Sequence, residues 1–160
     1  MSLQRFGHGY DSHVFGSDRR LILGGVRIPH AMGLMGHSDG DAVAHAVIDA
    51  LLGAAAMGDI GTLFPNSDER WRDADSMRLL REVKRRILAA NYSIVNIDVT
   101  VVTEAPRIAP FVNKMRENLA DVLGVSTGAV SVKAKTNEGM DAVGEGRGLA
   151  VHAVASLGGA

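Results

Sequence analysis

The sequence predicts an α+β fold in which a small mixed β-sheet carries helices on one side. Short β-rich segments closed by glycine or proline alternate with segments whose apolar residues recur at helical spacing. The composition, with 46% hydrophobic and 22% charged residues, is ordinary for a globular protein. A chain of 160 residues is long enough to bury roughly 70% of its unfolded surface, so we expect a single domain, 1–160.

Five segments are rich in β-branched and apolar residues and are predicted as strands: 3–10, 20–28, 93–102, 129–135 and 148–157. In residues 93–102, alternation places Ile94, Asn96, Asp98, Thr100 and Val102 on one partly polar face. That face either meets solvent or lines a polar channel at an oligomer axis, and the sequence leaves both open.

The first helix is predicted to begin at Ser38 as N-cap, with Asp41 completing a variant of the capping box. Apolar residues then recur at helical spacing as far as Ala54, and Gly58 ends the run. Two further helices are predicted over residues 75–90 and 110–123.

Several classes of protein are disfavoured by composition. A formal charge of −1 gives no reason to expect nucleic acid as a partner, because its binders usually carry a net basic patch. With no cysteine, any metal site must use His, Asp and Glu. No apolar stretch approaches the roughly 20 residues of a membrane span, and the first residues lack the apolar middle of a secretory signal. We therefore expect a cytoplasmic protein that is not membrane-bound.

A candidate metal site is indicated by Asp11 and His13, which project to one side of a strand end. In the first helix, Asp41, His45 and Asp49 are spaced to form one polar stripe opposite the apolar face. One aspartate and two histidines leave the fourth tetrahedral position open, as in catalytic zinc sites. On spacing alone, His45 can equally be a solvated helix residue with local ion-pair partners.

Two further stretches favour phosphate chemistry. Gly36, His37 and Ser38 lie at the predicted helix entrance, where free N–H groups attract anions. Lys135, Thr136 and Glu138 follow a strand, so that the lysine and threonine can hold phosphate oxygens and the glutamate a hard cation.

Six motifs occur in order along the chain: G-H-G-Y-D-S-H, G-H-S-D-G-D-x-x-x-H-A, G-D-I-G-x-L-F-P, A-D-S, E-A-P-R and K-A-K-T-N-E. Together they resemble the 2-C-methyl-D-erythritol 2,4-cyclodiphosphate synthase family of the non-mevalonate isoprenoid (terpenoid) pathway. The resemblance implies a phosphorus–oxygen lyase that cyclises 4-diphosphocytidyl-2-C-methyl-D-erythritol 2-phosphate and releases CMP. It also implies a homotrimer with active sites between adjacent subunits.

The resemblance further implies the residues of the site. Zinc would be held by Asp11, His13 and His45, and a second divalent cation, magnesium or manganese, by Glu138. His37 and Thr136 would be catalytic, orienting the phosphates. The methylerythritol end would be bound at Asp59, Ile60, Gly61, Phe64, Pro65, Asn66, Ser67 and Asp68. The cytidine diphosphate end would be bound by the neighbouring subunit at Thr103, Glu104, Ala105, Pro106, Arg107, Ile108, Ala109, Lys135 and Thr136. Ser12, Ser38 and Asn137 complete the expected substrate contacts.

The sequence departs from the family pattern at two places. Asn66 stands where an acidic residue is usual, so we expect altered affinity rather than loss of binding. In G-E-G-R-G, Glu145 and Arg147 are exchanged relative to the usual order, which argues against an isoprenoid or phosphate ligand there, although the two can still pair. We also expect residues 64–76 to order over the substrate as a lid.

Two rival functions stay open at this point. One is a zinc-dependent phosphohydrolase that uses the same Asp-His-His site to activate water. The other is a trimeric binder of isoprenoid diphosphates whose metals are structural.

Overall fold

The computed structural model describes residues 4–65 and 67–159. The strands are β1 Gln4–Gly16, β2 Leu21–Leu23, β3 Val26–Ile28, β4 Gly33–Leu34, β5 Tyr92–Val102, β6 Val130–Lys135 and β7 Gly148–Gly159. The helices are α1 Ala42–Ala55, α2 Ile60–Leu63, α3 Ser76–Ala89, α4 Val112–Leu123 and α5 Asp141–Gly144.

Five strands form one mixed sheet in the order β4-β1-β7-β5-β6, in which only β5 and β6 are parallel. Helix α1 packs on β1, β7 and β5, while α3 contacts β5 and α4 contacts β6. The predicted α+β class with a mixed sheet is therefore confirmed, and so are the helices predicted over 75–90 and 110–123.

Two glycines of β1 allow α1 to lie directly against the sheet. A Cβ atom built on Gly7 would be 2.0 Å from the Ala50 carbonyl oxygen, and one on Gly9 would be 1.9 Å from that of Ala46. Since no side chain fits these gaps, glycine is required at both positions. The close contact sets the distance between the sheet and every side chain of this part of α1.

The beginning of α1 differs from the prediction. Its N-cap is Asp41, which accepts a hydrogen bond from the Ala44 N–H, and not Ser38. The Asp41 carboxylate also accepts hydrogen bonds from the N–H groups of Gly24 and Gly25. Those glycines, both at positive φ, form the turn of a β2–β3 hairpin where a single strand over 20–28 was expected. A Gly-Gly pair supplies the positive φ angles that a two-residue hairpin turn requires.

The prediction of a polar stripe on α1 is also wrong, because the helix is buried on almost every side. Asp41 is fully buried as a cap, and Asp49 accepts a hydrogen bond from the Ile60 N–H at the start of α2. His45 is buried and faces β1. Each of the three side chains therefore has a different partner.

One residue of the partly polar face of β5 lies elsewhere than predicted. The register shifts between Ile94 and Asn96, and this β-bulge turns Ile94 towards the core. Asn96, Asp98 and Thr100 remain on the opposite face. That face of the sheet also exposes large apolar side chains of β1, since Phe6 is 67% exposed.

Within the described residues, no helix has the length and apolar character needed to cross a membrane. The exchanged pair near β7 is an ion pair, with Arg147 Nε 2.9 Å from Glu145 Oε2. The expectation that these two residues still pair is therefore confirmed.

Candidate metal centre and active site

Three potential metal ligands from two separate elements meet at one point. Asp11 Oδ2 lies 2.9 Å from His13 Nε2 and 3.0 Å from His45 Nδ1. One ligand atom from each residue falls within 4.8 Å of the other two. The convergence expected from the sequence is thus present, between the second half of β1 and the first turn of α1.

Local structure explains why these side chains meet. Alternation along β1 directs Gly7, Gly9, Asp11 and His13 towards α1. The glycines bring the helix close, and the next inward side chains are then the carboxylate and the imidazole. His45, beside Ala46 on the helix turn that contacts Gly9, is held at hydrogen-bonding distance from Asp11.

Each histidine is oriented by a hydrogen bond on its far nitrogen. His13 Nδ1 donates to the Met35 carbonyl oxygen at 2.5 Å. His45 Nε2 donates to Ser76 Oγ at 2.8 Å, and the Ser76 hydroxyl in turn donates to Asp39. When the N–H of each imidazole is donated on the far side, the nitrogen that faces Asp11 can offer its lone pair to a cation, and it donates a hydrogen bond to Asp11 only when a proton is bound there instead.

The electrostatics of the cluster agree with this assignment. Burial disfavours the ionised form of Asp11, but hydrogen bonds from His13 and His45 outweigh it and hold the pKa of Asp11 below its usual value. The hydrogen bond to Asp11 raises the pKa of His13. Without a bound cation, a proton on His13 therefore occupies the space between His13 and Asp11.

The donor set fits zinc. An Asp-His-His set with ligand bonds of 2.0–2.2 Å places neighbouring ligand atoms roughly 3.3 Å apart in a tetrahedron. The observed separations of 2.9 and 3.0 Å need to widen by only a few tenths of an ångström. Three protein ligands leave one tetrahedral position for a ligand oxygen, the arrangement of catalytic zinc centres.

A cavity of about 200 Å³ opens beside the three ligands. It is lined by Asp11, His13, His37, Ser38, His45, Ile60, Gly61, Phe64, Trp71 and Leu79. Its volume is below the roughly 300–1,000 Å³ of pockets that enclose an organic ligand. A nucleotide-sized ligand bound at the three ligands would therefore extend beyond this cavity.

The segment expected to bind the methylerythritol end forms one wall of this cavity. Asp59 is the N-cap of α2, and its carboxylate accepts hydrogen bonds from the N–H and hydroxyl of Thr62. Ile60, Gly61 and Phe64 line the cavity directly. Asp68 pairs with Arg70 at 2.6 Å, while Pro65 and Ser67 are exposed. Asn66 lies outside the described residues.

The residues expected to bind the cytidine diphosphate end form a second cluster, at the ends of the parallel strands β5 and β6. The Thr103 N–H donates to the Lys135 carbonyl oxygen at 2.9 Å. The Glu104 carboxylate accepts a hydrogen bond from the Asn137 N–H at 2.7 Å.

Thr136 donates to Glu138 Oε1 at 3.2 Å in the same cluster. Residues 105–109, which follow Glu104, contain the cis peptide bond between Ala105 and Pro106. Arg107 and Ala109 are exposed, and Ile108 is buried. None of these residues lines the cavity beside His45, so within one chain the two halves of the predicted site are separate.

Ser12 is also apart from the metal ligands. It points to the opposite face of β1, where it lines a different cavity with Tyr10, Val14 and Arg147, and of the three ligands His13 alone borders that cavity as well. The alternation of β1 that brings Asp11 and His13 together is the reason, because successive side chains of a strand point to opposite faces.

Sequence reasoning gave no individual role to four residues of the site. Ser76 and Asp39 orient His45, although the A-D-S and G-H-S-D-G-D motifs contain them. Trp71 and Leu79 close the cavity, and Trp71 is the sole tryptophan of the chain. A single tryptophan among charged residues in the sequence could have indicated that this segment belongs to the site.

The fold and the site define an α+β protein with a candidate Asp-His-His metal centre next to a small cavity. The chain belongs to the YgbB family, whose sequence profile matches residues 4–158. A relative from Erwinia tasmaniensis, named 2-C-methyl-D-erythritol 2,4-cyclodiphosphate synthase, is 52% identical over 153 residues, which are 96% of this chain and 98% of the relative.

Solved structures agree with the family assignment. IspF of Plasmodium falciparum, in complex with CDP, superimposes with a TM-score of 0.86 at 34% identity and covers 98% of this chain and 96% of its own. The bifunctional IspDF of Campylobacter jejuni gives a TM-score of 0.96 at 38% identity over all of this chain. This chain spans 43% of that longer protein.

Proposed function

We propose that this chain catalyses the cyclisation of 4-diphosphocytidyl-2-C-methyl-D-erythritol 2-phosphate to 2-C-methyl-D-erythritol 2,4-cyclodiphosphate with release of CMP. The observation that carries the proposal is the convergence of Asp11, His13 and His45 in a chain whose relatives bear that enzyme's name over nearly their whole length. Solved relatives with CDP bound support a cytidine diphosphate ligand. The same names favour the synthase over the phosphohydrolase and the isoprenoid-diphosphate binder.

The reaction is that of a phosphorus–oxygen lyase of isoprenoid biosynthesis. The 2-phosphate of the substrate attacks its own β-phosphorus, the bond between this phosphorus and the CMP oxygen breaks, and CMP leaves with that electron pair. Because the nucleophile belongs to the substrate, the protein needs no nucleophilic side chain. Correct orientation alone can recover roughly 7–11 kcal/mol of the barrier.

Zinc bound by Asp11, His13 and His45 would act as a Lewis acid that stabilises charge on the phosphate oxygens. His37 and Ser38 line the same cavity, where their polar groups can hydrogen-bond to a phosphate. Phe64, Trp71 and Leu79 form an apolar wall that excludes water, so hydrolysis does not compete with ring closure. The expected ordering of residues 64–76 over the substrate stays a prediction.

The second cluster is assigned to the neighbouring subunit of a homotrimer. In this assignment Thr103–Ala109 and Lys135–Asn137 bind the cytidine diphosphate end, Thr136 orients the phosphates, and Glu138 holds magnesium or manganese. Two observations support it: the cavity of about 200 Å³ is too small for the substrate, and the cluster does not line it. The exposed Phe6 and Tyr10 on the bare sheet face suit burial between subunits.

Residues 1–160 are proposed to act as one domain, which is supported by a connected hydrophobic cluster that extends from Leu21 to Leu157. The contribution of Ser12 to substrate binding and the cytoplasmic location stay predictions. So does the effect of Asn66 on affinity.

The test is to incubate the purified protein with the cytidylated 2-phosphate and to identify the products by phosphorus NMR, with and without a chelator. A cyclic diphosphate and CMP, formed only when divalent metal is present, are expected. Linear phosphate products would support the phosphohydrolase, and tight diphosphate binding without turnover would support the binder. His45→Ala is expected to abolish turnover and zinc content together, whereas His30→Ala, which removes a half-buried histidine that is not one of the three ligands, serves as the control.

A further inference from the structure

A strongly basic groove lies next to the metal cavity, between α3 and residues 70–75. It encloses about 890 Å³. Seven cationic side chains and three carboxylates line it, an excess of four positive charges in a chain whose net charge is −1. The cationic residues are Arg70, Arg72, Arg78, Arg81, Lys84, Arg85 and Arg86.

Two of these arginines lack an acidic partner. The other four are each paired with a nearby carboxylate: Arg70, Arg72, Arg85 and Arg86. Among the described residues, neither Arg78 nor Arg81 has a carboxylate within ion-pairing distance, and both are exposed on α3. Three residues apart, they lie on the same face of the helix. An anion in the groove would therefore meet two guanidinium groups that do not have to break an existing ion pair.

The shape of the groove indicates a small ligand. Its volume lies within the range of pockets for organic ligands, roughly 300–1,000 Å³, and exceeds that of one phosphate group. Leu79 and Leu88 supply an apolar strip beside the arginines. Asp73 and Asp75 also line the groove and would repel the continuous phosphates of a nucleic acid.

We propose that this groove binds a phosphate-bearing small molecule through a diphosphate group held by Arg78 and Arg81. Guanidinium groups offer paired N–H donors that match two phosphate oxygens, which makes arginine suited to this recognition. The site is separate from the metal cavity, because none of the three metal ligands lines it.

An apolar wall connects the two sites. Phe64, Trp71 and Leu79 line both the groove and the metal cavity. The Phe64 and Trp71 rings pack edge to face at 4.9 Å, and the Arg70 guanidinium lies 5.6 Å from the centre of the Trp71 ring. An anion in the groove thus alters the surroundings of Trp71, and the chain has no other tryptophan.

The test is a titration of the metal-loaded protein with inorganic diphosphate, followed by tryptophan fluorescence at constant ionic strength and in the presence of saturating CDP. A saturable change is expected. Arg78→Gln combined with Arg81→Gln should weaken diphosphate binding at least tenfold. Arg27→Gln removes one positive charge from the exposed position of β3, as Arg81→Gln does on α3, and should leave the affinity unchanged. If the double variant unfolds by circular dichroism, Arg81→Gln alone is used, with at least a threefold weakening expected.

Four results would overturn the proposal. They are the absence of a saturable response, its loss when CDP is present, an equal effect of Arg27→Gln, and tighter binding of a single-stranded oligonucleotide by the same arginines. Because the readout is binding and not turnover, failure here leaves the proposed cyclisation untouched.

Discussion

Replacing Gly9 by alanine is expected to damage the fold and the metal centre together. The added Cβ would lie 1.9 Å from the Ala46 carbonyl oxygen and 2.7 Å from the Ala50 nitrogen. Ordinary contact begins at 3.4 Å, so the helix has to move by about 1.5 Å. Overpacking of this kind costs about 1–3 kcal/mol, and contact with backbone atoms, which cannot rotate away, places Gly9→Ala at the upper end.

The same movement separates the metal ligands. His45 is adjacent to Ala46 on α1, so a shift of the helix carries its Nδ1 away from Asp11, now 3.0 Å distant. Metal–ligand distances tolerate only about 0.2 Å. Zinc content is therefore expected to fall well below one ion per chain, although no ligand has been changed.

The assay combines thermal unfolding with zinc analysis after dialysis. A loss of about 3 kcal/mol corresponds to a fall of roughly 6–12 °C in Tm. Gly53→Ala is the matched control: it also lies in α1, but the nearest atom to its added Cβ is 3.9 Å away, and alanine favours the helix by about 0.5–1 kcal/mol. A Gly9→Ala protein with unchanged Tm and full zinc content would refute the reasoning.

Three further predictions concern the site itself. Ser76→Ala removes the hydroxyl that orients His45 and should weaken zinc binding by about 10–100-fold, measured by competition with a chelating dye; unchanged affinity would contradict the role of Ser76. In the chelated protein, the hydrogen bond to Asp11 raises the pKa of His13 above 6.5. The protonated His13 imidazole therefore stabilises the folded state fully below about pH 6.5, and this stabilisation is lost as the pH rises through the folded-state pKa. The difference in unfolding free energy between wild type and His13→Gln, followed from about pH 5.5 to 8.5, should show this decline. Glu138→Gln should raise the magnesium concentration needed for turnover while leaving zinc content unchanged, and loss of zinc would show that Glu138 acts elsewhere.

Local sequence was sufficient for most of the secondary structure. Periodicity located α3 and α4 closely, because their apolar faces have regular spacing. The errors occurred where a distant residue determines the local structure. The Asp41 carboxylate caps α1 and also accepts hydrogen bonds from the β2–β3 turn, which is distant in sequence. Ile94 faces the core because a bulge arises where β5 pairs with β7.

The sequence by itself determined that the candidate ligands are Asp11, His13 and His45, since the chain has no cysteine and its motifs restrict the choice. It also determined that Asp11 and His13 share one side of a strand, which follows from the two-residue period. Only the tertiary structure decided that His45 reaches them, that Ser76 and Asp39 orient it, and that Ser12 does not join them. These outcomes depend on how closely α1 approaches β1 and α3, and such distances arise from packing between segments far apart in the chain.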